Sequence, residues 1–304
     1  MIVTDPAAFL AAYSAERFPA VAAATARAGF LVAPAGASLA AESASDNRYM
    51  DPGGTLDPAR ALAQHAELAR RLGADLPVIT FAGDAESPDG LFPNNVFATA
   101  PGRLIVGRMR HAVRRREAGR ADIRAFFGDT LGYALLDLSG APFVAELTGA
   151  LVIDRARGVG YCGLSERCDL AGARAMHDAF GLRLTFCFEL AEGEYHTNVV
   201  MALLAGRFAL LAADGFADPA VPRAIAQALV GQVVWLTRAQ KNAFAGNAIA
   251  LAPDRAWMSA TGAASLDPAQ RAAIERAGFA LAVVELDEIE KAGGSLRCCV
   301  AEIF

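Results

Sequence analysis

Asn95, Glu146, His196, Asn247 and Cys298 succeed one another at intervals of 51, 50, 51 and 51 residues. The set joins a thiol, an imidazole, a carboxylate and two amides. Cysteine is the strongest side-chain nucleophile near neutral pH, but it attacks as the thiolate and so needs a lowered pKa or a neighbouring base. Histidine moves protons in the same pH range, and a carboxylate orients it or accepts a substrate N–H. If the chain is built from units related by rotation, equivalent positions converge near one axis and these five groups share a pocket. The competing reading is coincidence, since five polar residues are drawn from many. Cys299 adds a second ambiguity. Adjacent strand residues point to opposite faces, so only one of the two thiols faces the pocket. The spacing favours Cys298, yet a one-residue shift lies within its scatter.

The elements that must position these residues repeat as well. Helix starts with an Asp cap recur at Asp57, Asp122, Asp169, Asp218 and Asp267, where a carboxylate accepts free backbone N–H bonds and suits the positive helix end. Pro58, Pro219 and Pro268 follow three of these caps at the first helical position. Gly73, Gly181, Gly231 and Gly278 stand where C-terminal caps belong. Each helix is followed by a strand-like run, namely LPVITF, YALLDL, LRLTFCFEL, QVVWLT and FALAVVEL. Four of these lead into hairpins with Gly, Pro or Asp turns: VFATAPGRLIVG, ALVIDRARGVGYCG, VVMALLAGRFALLA and AIALAPDRAWMSA. The unit is strand, strand, helix, strand, and it occurs five times if the final RCCVAEIF pairs with the N-terminal segment. Such units around one axis predict an α/β fold, a five-bladed propeller in a single domain over 1–304, in preference to two domains.

Composition narrows the function. Hydrophobic residues make up 54% and charged residues 20% of the 304, enough apolar material for a sizeable core. A net charge of −5 argues against a nucleic-acid binder that relies on a positive field. Apolar runs such as 199–205 and 208–213 are cut by Arg207 or Asp214, too short for a membrane span. Asp5 stands where a secretory leader would carry Lys or Arg. Five cysteines without CxxC and four histidines without HExxH fit a reduced, cytoplasmic protein with no metal and no cofactor. GVGYCG (158–163) satisfies GxGxxG but lies in a hairpin with no helix starting on it, which excludes a dinucleotide loop. RMRHAVRRRE (108–117) packs five arginines and a histidine. It reads as a solvated face or nucleic-acid patch, or more sharply as the source of one buried Arg for an anionic substrate. His65 and His177 read as surface positions on amphipathic helices. Asp89 is the most interesting member of an acidic loop (83–90), and Cys162, Cys168 and Cys187 read as small core residues.

The strings PDGLFPNNVFAT, GRMRHAVRRRE, YCGLSERCDL, YHTNVVM, NAFAGN and GGSLRCCVAEIF together resemble the amidinotransferase, or pentein, superfamily of guanidine-modifying enzymes. Within it they most resemble the citrulline-utilisation hydrolases, related to arginine deiminases and dimethylarginine dimethylaminohydrolases. The likeness runs from about Ser43 to Phe304, with a weaker start at ESASDNRYM. It implies the five-bladed α/β propeller that the repeat suggests independently. Position by position, GGSLRC implies Cys298 as nucleophile over Cys299, and YHTN implies His196 as general acid and base. ELTG implies Glu146 as the carboxylate, although Leu147 stands where the family has glycine. Arg114 and Arg167 resemble the pair that holds the substrate's α-carboxylate, and Asp89 joins the expected binding residues.

One departure bears on the substrate. Arginine deiminases place Asp at the positions matching Asn95 and Asn198. Two carboxylates suit a cationic guanidinium, whereas two amides offer a neutral ureido group both a donor for its carbonyl and an acceptor for its NH2. The resemblance and this departure together imply hydrolysis of citrulline to ornithine, carbon dioxide and ammonia. The alternatives are an arginine deiminase or methylarginine hydrolase and, in another class, a catalytically silent propeller used for binding. A reactive Cys298 of low pKa, labelling fast at mild pH, separates the enzyme from the silent form. The expected partner is a small amino-acid substrate, and a homo-oligomer stays open. The sequence leaves the roles of Asn247 and Cys299 unassigned.

Overall fold

In the computed structural model, which describes residues 1–16, 18–51 and 53–304, the apolar runs become sixteen strands, β1–β16 in chain order, arranged in five sheets. β4 (Phe97–Ala100) and β5 (Arg103–Val106) form an antiparallel hairpin, and β6 (Ala134–Asp137) returns parallel to β5. The pattern recurs in β7 (Leu151–Asp154), β8 (Val159–Leu164) and β9 (Leu184–Glu189). It recurs again in β10 (Met201–Leu204), β11 (Phe208–Leu211) and β12 (Val233–Trp235), and in β13 (Ile249–Ala252), β14 (Arg255–Ser259) and β15 (Ala280–Val284). The fifth sheet joins the chain ends. β16 (Ala301–Ile303) runs antiparallel to β2 (Ala28–Val32), with Ala301 opposite Phe30, and β3 (Val78–Phe81) lies parallel to β2. The short β1 (Ile2–Val3) adds a parallel fourth strand beside β9.

Burial follows the same order. Among the described residues five apolar clusters form the core, and each draws residues from two of the five sheets. Phe30, Val32, Phe97 and Leu104 join the β16–β2–β3 sheet to β4–β6. Leu31 and Val300 meet Leu251, Trp257 and Val284 in a cluster that joins the β16–β2–β3 sheet to β13–β15. At about 25 cal/mol per Å² of apolar surface removed from water, these shared faces hold the sheets in sequence.

The caps behave largely as the sequence predicts. Asp57 accepts from the amides of Ala59 and Arg60, Asp169 from Gly172, and Asp267 forms a capping box with Gln270. Asp218 accepts the Ala220 amide, with Pro219 rather than Asp218 at the cap position of Ala220–Ala228. Asp122 is different: it lies inside the helix Ala121–Ala125 and pairs with Arg120 instead of capping. Asp5, weighed above only against a leader, accepts the Ala8 amide and starts the helix Pro6–Glu16. His65 is a further correction. It sits on the buried side of Pro58–Leu72, where burial pushes its imidazole down to about 4 against the opposing pull of a Val32 backbone hydrogen bond. His177 is half-buried and bonds Thr185 and the chain's N-terminal amine.

Candidate active site

Four of the five periodic residues stand on a single helical turn that feeds the first strand of a unit. Asn95 ends Pro93–Asn95 before β4, Glu146 precedes Leu147–Ala150 before β7, and His196 precedes Thr197–Val200 before β10. Cys298 lies in Leu296–Cys299 before β16, so it belongs to a helical turn and not, as expected, to the final strand. Asn247 takes the corresponding place in a turn before β13. In this helical turn the two thiols differ in access to a pocket and not by strand alternation. Both thiols belong to the apolar cluster between β13–β15 and the β16–β2–β3 sheet, but Cys298 also lines a pocket with Asn95, Asp89, Arg114 and Arg167, and Cys299 does not.

The structure brings the sequence-selected residues together. Glu146 Oε2 lies 2.9 Å from His196 Nε2 and 3.2 Å from Arg167 Nη1, and Glu146 Oε1 accepts the Arg110 amide at 3.0 Å. Burial drives the Glu146 carboxyl up, but the Arg167 charge and the His196 bond outweigh it and hold the group well below the usual range. Glu146 is therefore an ionised acceptor, and His196 Nε2 carries the hydrogen between them. That leaves Nδ1 as a buried lone pair without a partner among the described residues. His196 itself is shifted down, by burial first and with the Glu146 bond opposing. It is a neutral imidazole with a free basic nitrogen.

Amides surround the thiol. Asn247 Nδ2 lies 3.3 Å from Cys298 Sγ and Asn198 Nδ2 3.8 Å from it, while Asn95 Oδ1 is buried without a partner. Burial raises the Cys298 thiol despite the backbone at Ser295 and the Asn247 amide. Burial here works against the depressed pKa and fast labelling at mild pH that the sequence suggests. Gly149 explains how the imidazole and amide approach so closely. A Cβ there would stand 2.5 Å from Asn95 Oδ1 and 2.7 Å from His196 Cε1, below any contact real side chains make. Gly149→Ala should cut kcat/KM by about 10²-fold or more through a displaced imidazole while the protein stays folded, since a 1 Å misplacement costs on that order. Steady-state kinetics beside a circular dichroism spectrum checks it. Position 147 likewise has a reason to be glycine in relatives: Leu147 takes φ 26°, a strained region for an L-residue, and its fully buried side chain offsets the cost.

Both arginines line the pocket, but each guanidinium already has partners. Arg114 places Nε and Nη2 on Glu117 at 2.9 and 2.8 Å, and Arg167 holds Asp46 with Nε at 2.9 and 3.0 Å. Asp89 is buried and accepts the Ser43 hydroxyl. Ser43, Asn47, Met50 and Tyr195, none of them singled out by periodicity, also line the pocket. Three of these lie in or beside ESASDNRYM, the weak start of the resemblance. Cys162, Cys168 and Cys187 are buried in the core, as expected, with Cys162 Sγ 3.7 Å from Cys168 Sγ. No helix among the described residues is long and apolar enough to cross a membrane, and no cluster among them gathers three side chains fit to hold a metal ion.

No curated protein matches the chain by sequence. Solved structures do match its fold. The N-terminal domain of ArgZ, an arginine dihydrolase from the ornithine–ammonia cycle in cyanobacteria, solved with substrate, superposes with a TM-score of 0.79 at 19% identity, covering 91% of this chain and 97% of that one. Unliganded AgrE gives 0.79 at 19% identity over 91% of this chain and 39% of its own. A dimethylarginine dimethylaminohydrolase in adduct with S-methyl-L-thiocitrulline gives 0.72 at 21% identity, over 91% and 100%. The fold is the α/β fold of the pentein, or amidinotransferase, superfamily, and the class is a cysteine-dependent hydrolase of non-peptide carbon–nitrogen bonds. The family model described as N,N dimethylarginine dimethylhydrolase, eukaryotic, matches residues 34–304, and the chain belongs to that family.

Proposed function

We propose that the protein hydrolyses the ureido group of citrulline, giving ornithine, carbon dioxide and ammonia, in a five-bladed propeller whose axis passes near Cys298. The observation that carries this is the charge balance at the thiol. The amides of Asn198 and Asn247 face Sγ, Asn95 lines the same pocket as Cys298, and the Glu146 carboxylate behind it is already matched by Arg167. A guanidinium would meet little uncompensated negative charge beside the thiol, whereas a neutral ureido group finds donors and acceptors without charge to bury.

His196 Nδ1 takes the proton of the Cys298 thiol as the sulfur attacks the ureido carbon, and a C–N bond breaks as the leaving nitrogen takes that proton from Nδ1. An S-carbamoyl or N-substituted S-carbamoyl enzyme remains, according to which bond breaks first. Water gives a proton to Nδ1 as its oxygen adds to the carbonyl carbon, and the C–S bond breaks as the sulfur takes that proton from Nδ1 and leaves as the thiol. Glu146 steadies the imidazolium that forms between these steps. Arg114 and Arg167 are the candidates for the α-carboxylate, and Asp89 for the α-ammonium, of an amino acid. Incubation with citrulline and with arginine side by side, read by mass spectrometry, tests the proposal: ornithine should form from citrulline at once and from arginine at most slowly. Faster turnover of arginine, or citrulline left intact as its product, would replace it with the arginine reading.

A further inference from the structure

We propose that Asp46 is a positioning residue for the reaction: by occupying one side of Arg167 it sets how strongly that guanidinium holds Glu146, and thereby how readily His196 takes up and returns a proton. The inference rests on the roles proposed above for Glu146 and His196. The contacts form an unbroken row. His111 Nε2 lies 2.9 Å from Asp46 Oδ2, and Arg167 spans Asp46 through Nε and Nη2. Arg167 Nη1 then reaches Glu146 Oε2 at 3.2 Å, and the same oxygen accepts His196 Nε2–H at 2.9 Å. Guanidinium and imidazole thus share one carboxylate oxygen. Whatever draws Arg167 away from Glu146 leaves that oxygen freer for His196.

Asp46 draws it away, and it does so from a segment outside the five sheets. The short helix Ala41–Ala44 and the turn after it cover the pocket, into which Ser43, Asn47 and Met50 face. Glu42 anchors the segment by accepting the Ala112 and Val113 amides at 2.6 and 3.2 Å, and Asn47 donates to the Gly293 carbonyl at 3.2 Å. The groups facing Asp46 are Arg167 and His111, with Glu42 3.7 Å from His111 Nδ1. Those facing His196 are Glu146, Arg167 and Arg114, with the Tyr195 ring centred 4.5 Å away. Two cations oppose protonation of His196. A neutral amide at position 46 returns the Arg167 charge to Glu146 and His196, and His196 then holds a proton less readily.

The test follows the four histidines by ¹⁵N NMR, with His196 identified by the signals lost in His196→Gln. In Asp46→Asn the midpoint of His196 should fall by about one pH unit, a roughly tenfold change in its protonated fraction. The kcat on citrulline should fall about tenfold, with KM changing less, and Asp46→Glu should restore most of both. A residue that merely packs the covering segment would raise KM and leave the midpoint alone. An unmoved midpoint in Asp46→Asn, or a His196 that fails to titrate in both proteins, overturns the proposal. The NMR arm needs no turnover, so a parent inactive on citrulline would sink the functional reading and still leave Asp46 to be decided.

Discussion

Cys298→Ser should abolish turnover, by roughly 10⁴-fold or more, while Cys299→Ser should keep activity within a few-fold of the parent. The two residues are neighbours of one chemical type, so the contrast isolates position from composition. Cys298 Sγ has Asn247 and Asn198 as polar neighbours and lines the pocket; Cys299 is buried among apolar side chains. A hydroxyl at 299 has no evident partner there and should cost about 1–3 kcal/mol of stability, so its effect belongs in thermal unfolding and not in kcat. Because burial holds the Cys298 thiol above its ordinary range, alkylation of the unliganded protein should be slow at neutral pH and accelerate as pH rises through the thiol's ionisation. Kinetics of both variants, with mass spectrometry to locate the alkylated residue, decide the matter. Equal losses in the two variants, or loss only at 299, would mean that the register between thiol and pocket is wrong.

Much of this site was legible because the sequence period follows a structural unit that recurs along the chain. Intervals of 50 and 51 residues place Asn95, Glu146, His196, Asn247 and Cys298 at the same point of successive units, and hairpin, helix and return strand are each encoded locally. What stayed hidden was non-periodic. Asp46, Asn47 and Ser43 come from a segment with no counterpart in the other units, and only the folded chain sets Asp46 against Arg167. The partners of the two arginines were equally invisible, since a guanidinium's choice between a substrate and Glu117 depends on three-dimensional contact. His65 misled for another reason: the helix Pro58–Leu72 has a clear apolar face, and the histidine stands on it beside Ala61, Leu68 and Leu72. Cys298 was placed in a strand because an apolar run of that length cannot distinguish one helical turn from the strand it feeds.

The largest change in specificity should come from Asn95→Asp combined with Asn198→Asp. In the parent these amides present neutral dipoles beside the thiol, and Asn198 donates to the Thr148 carbonyl at 3.2 Å. Two carboxylates would place negative charge in a buried pocket whose lining arginines are already matched, Arg167 by Glu146 and Asp46 and Arg114 by Glu117. A guanidinium supplies the missing charge and five N–H donors, whereas a ureido carbonyl then faces acceptors alone. The ratio of kcat/KM for arginine over citrulline should therefore rise by about 10²-fold or more, in line with the penalty a site imposes when its buried polar groups go unpaired. Absolute rates should fall for both substrates, because a carboxylate at 198, where the amide Oδ1 now lies 3.9 Å from Sγ, further opposes the thiolate. The ratio is consequently the informative quantity, and thermal unfolding of the double variant separates it from a loss of fold. A double variant that retains the parent's preference would show that the amides do not read the substrate's charge. The choice between ureido and guanidino groups would then have to lie with Asp89, the remaining buried carboxylate of the pocket lining.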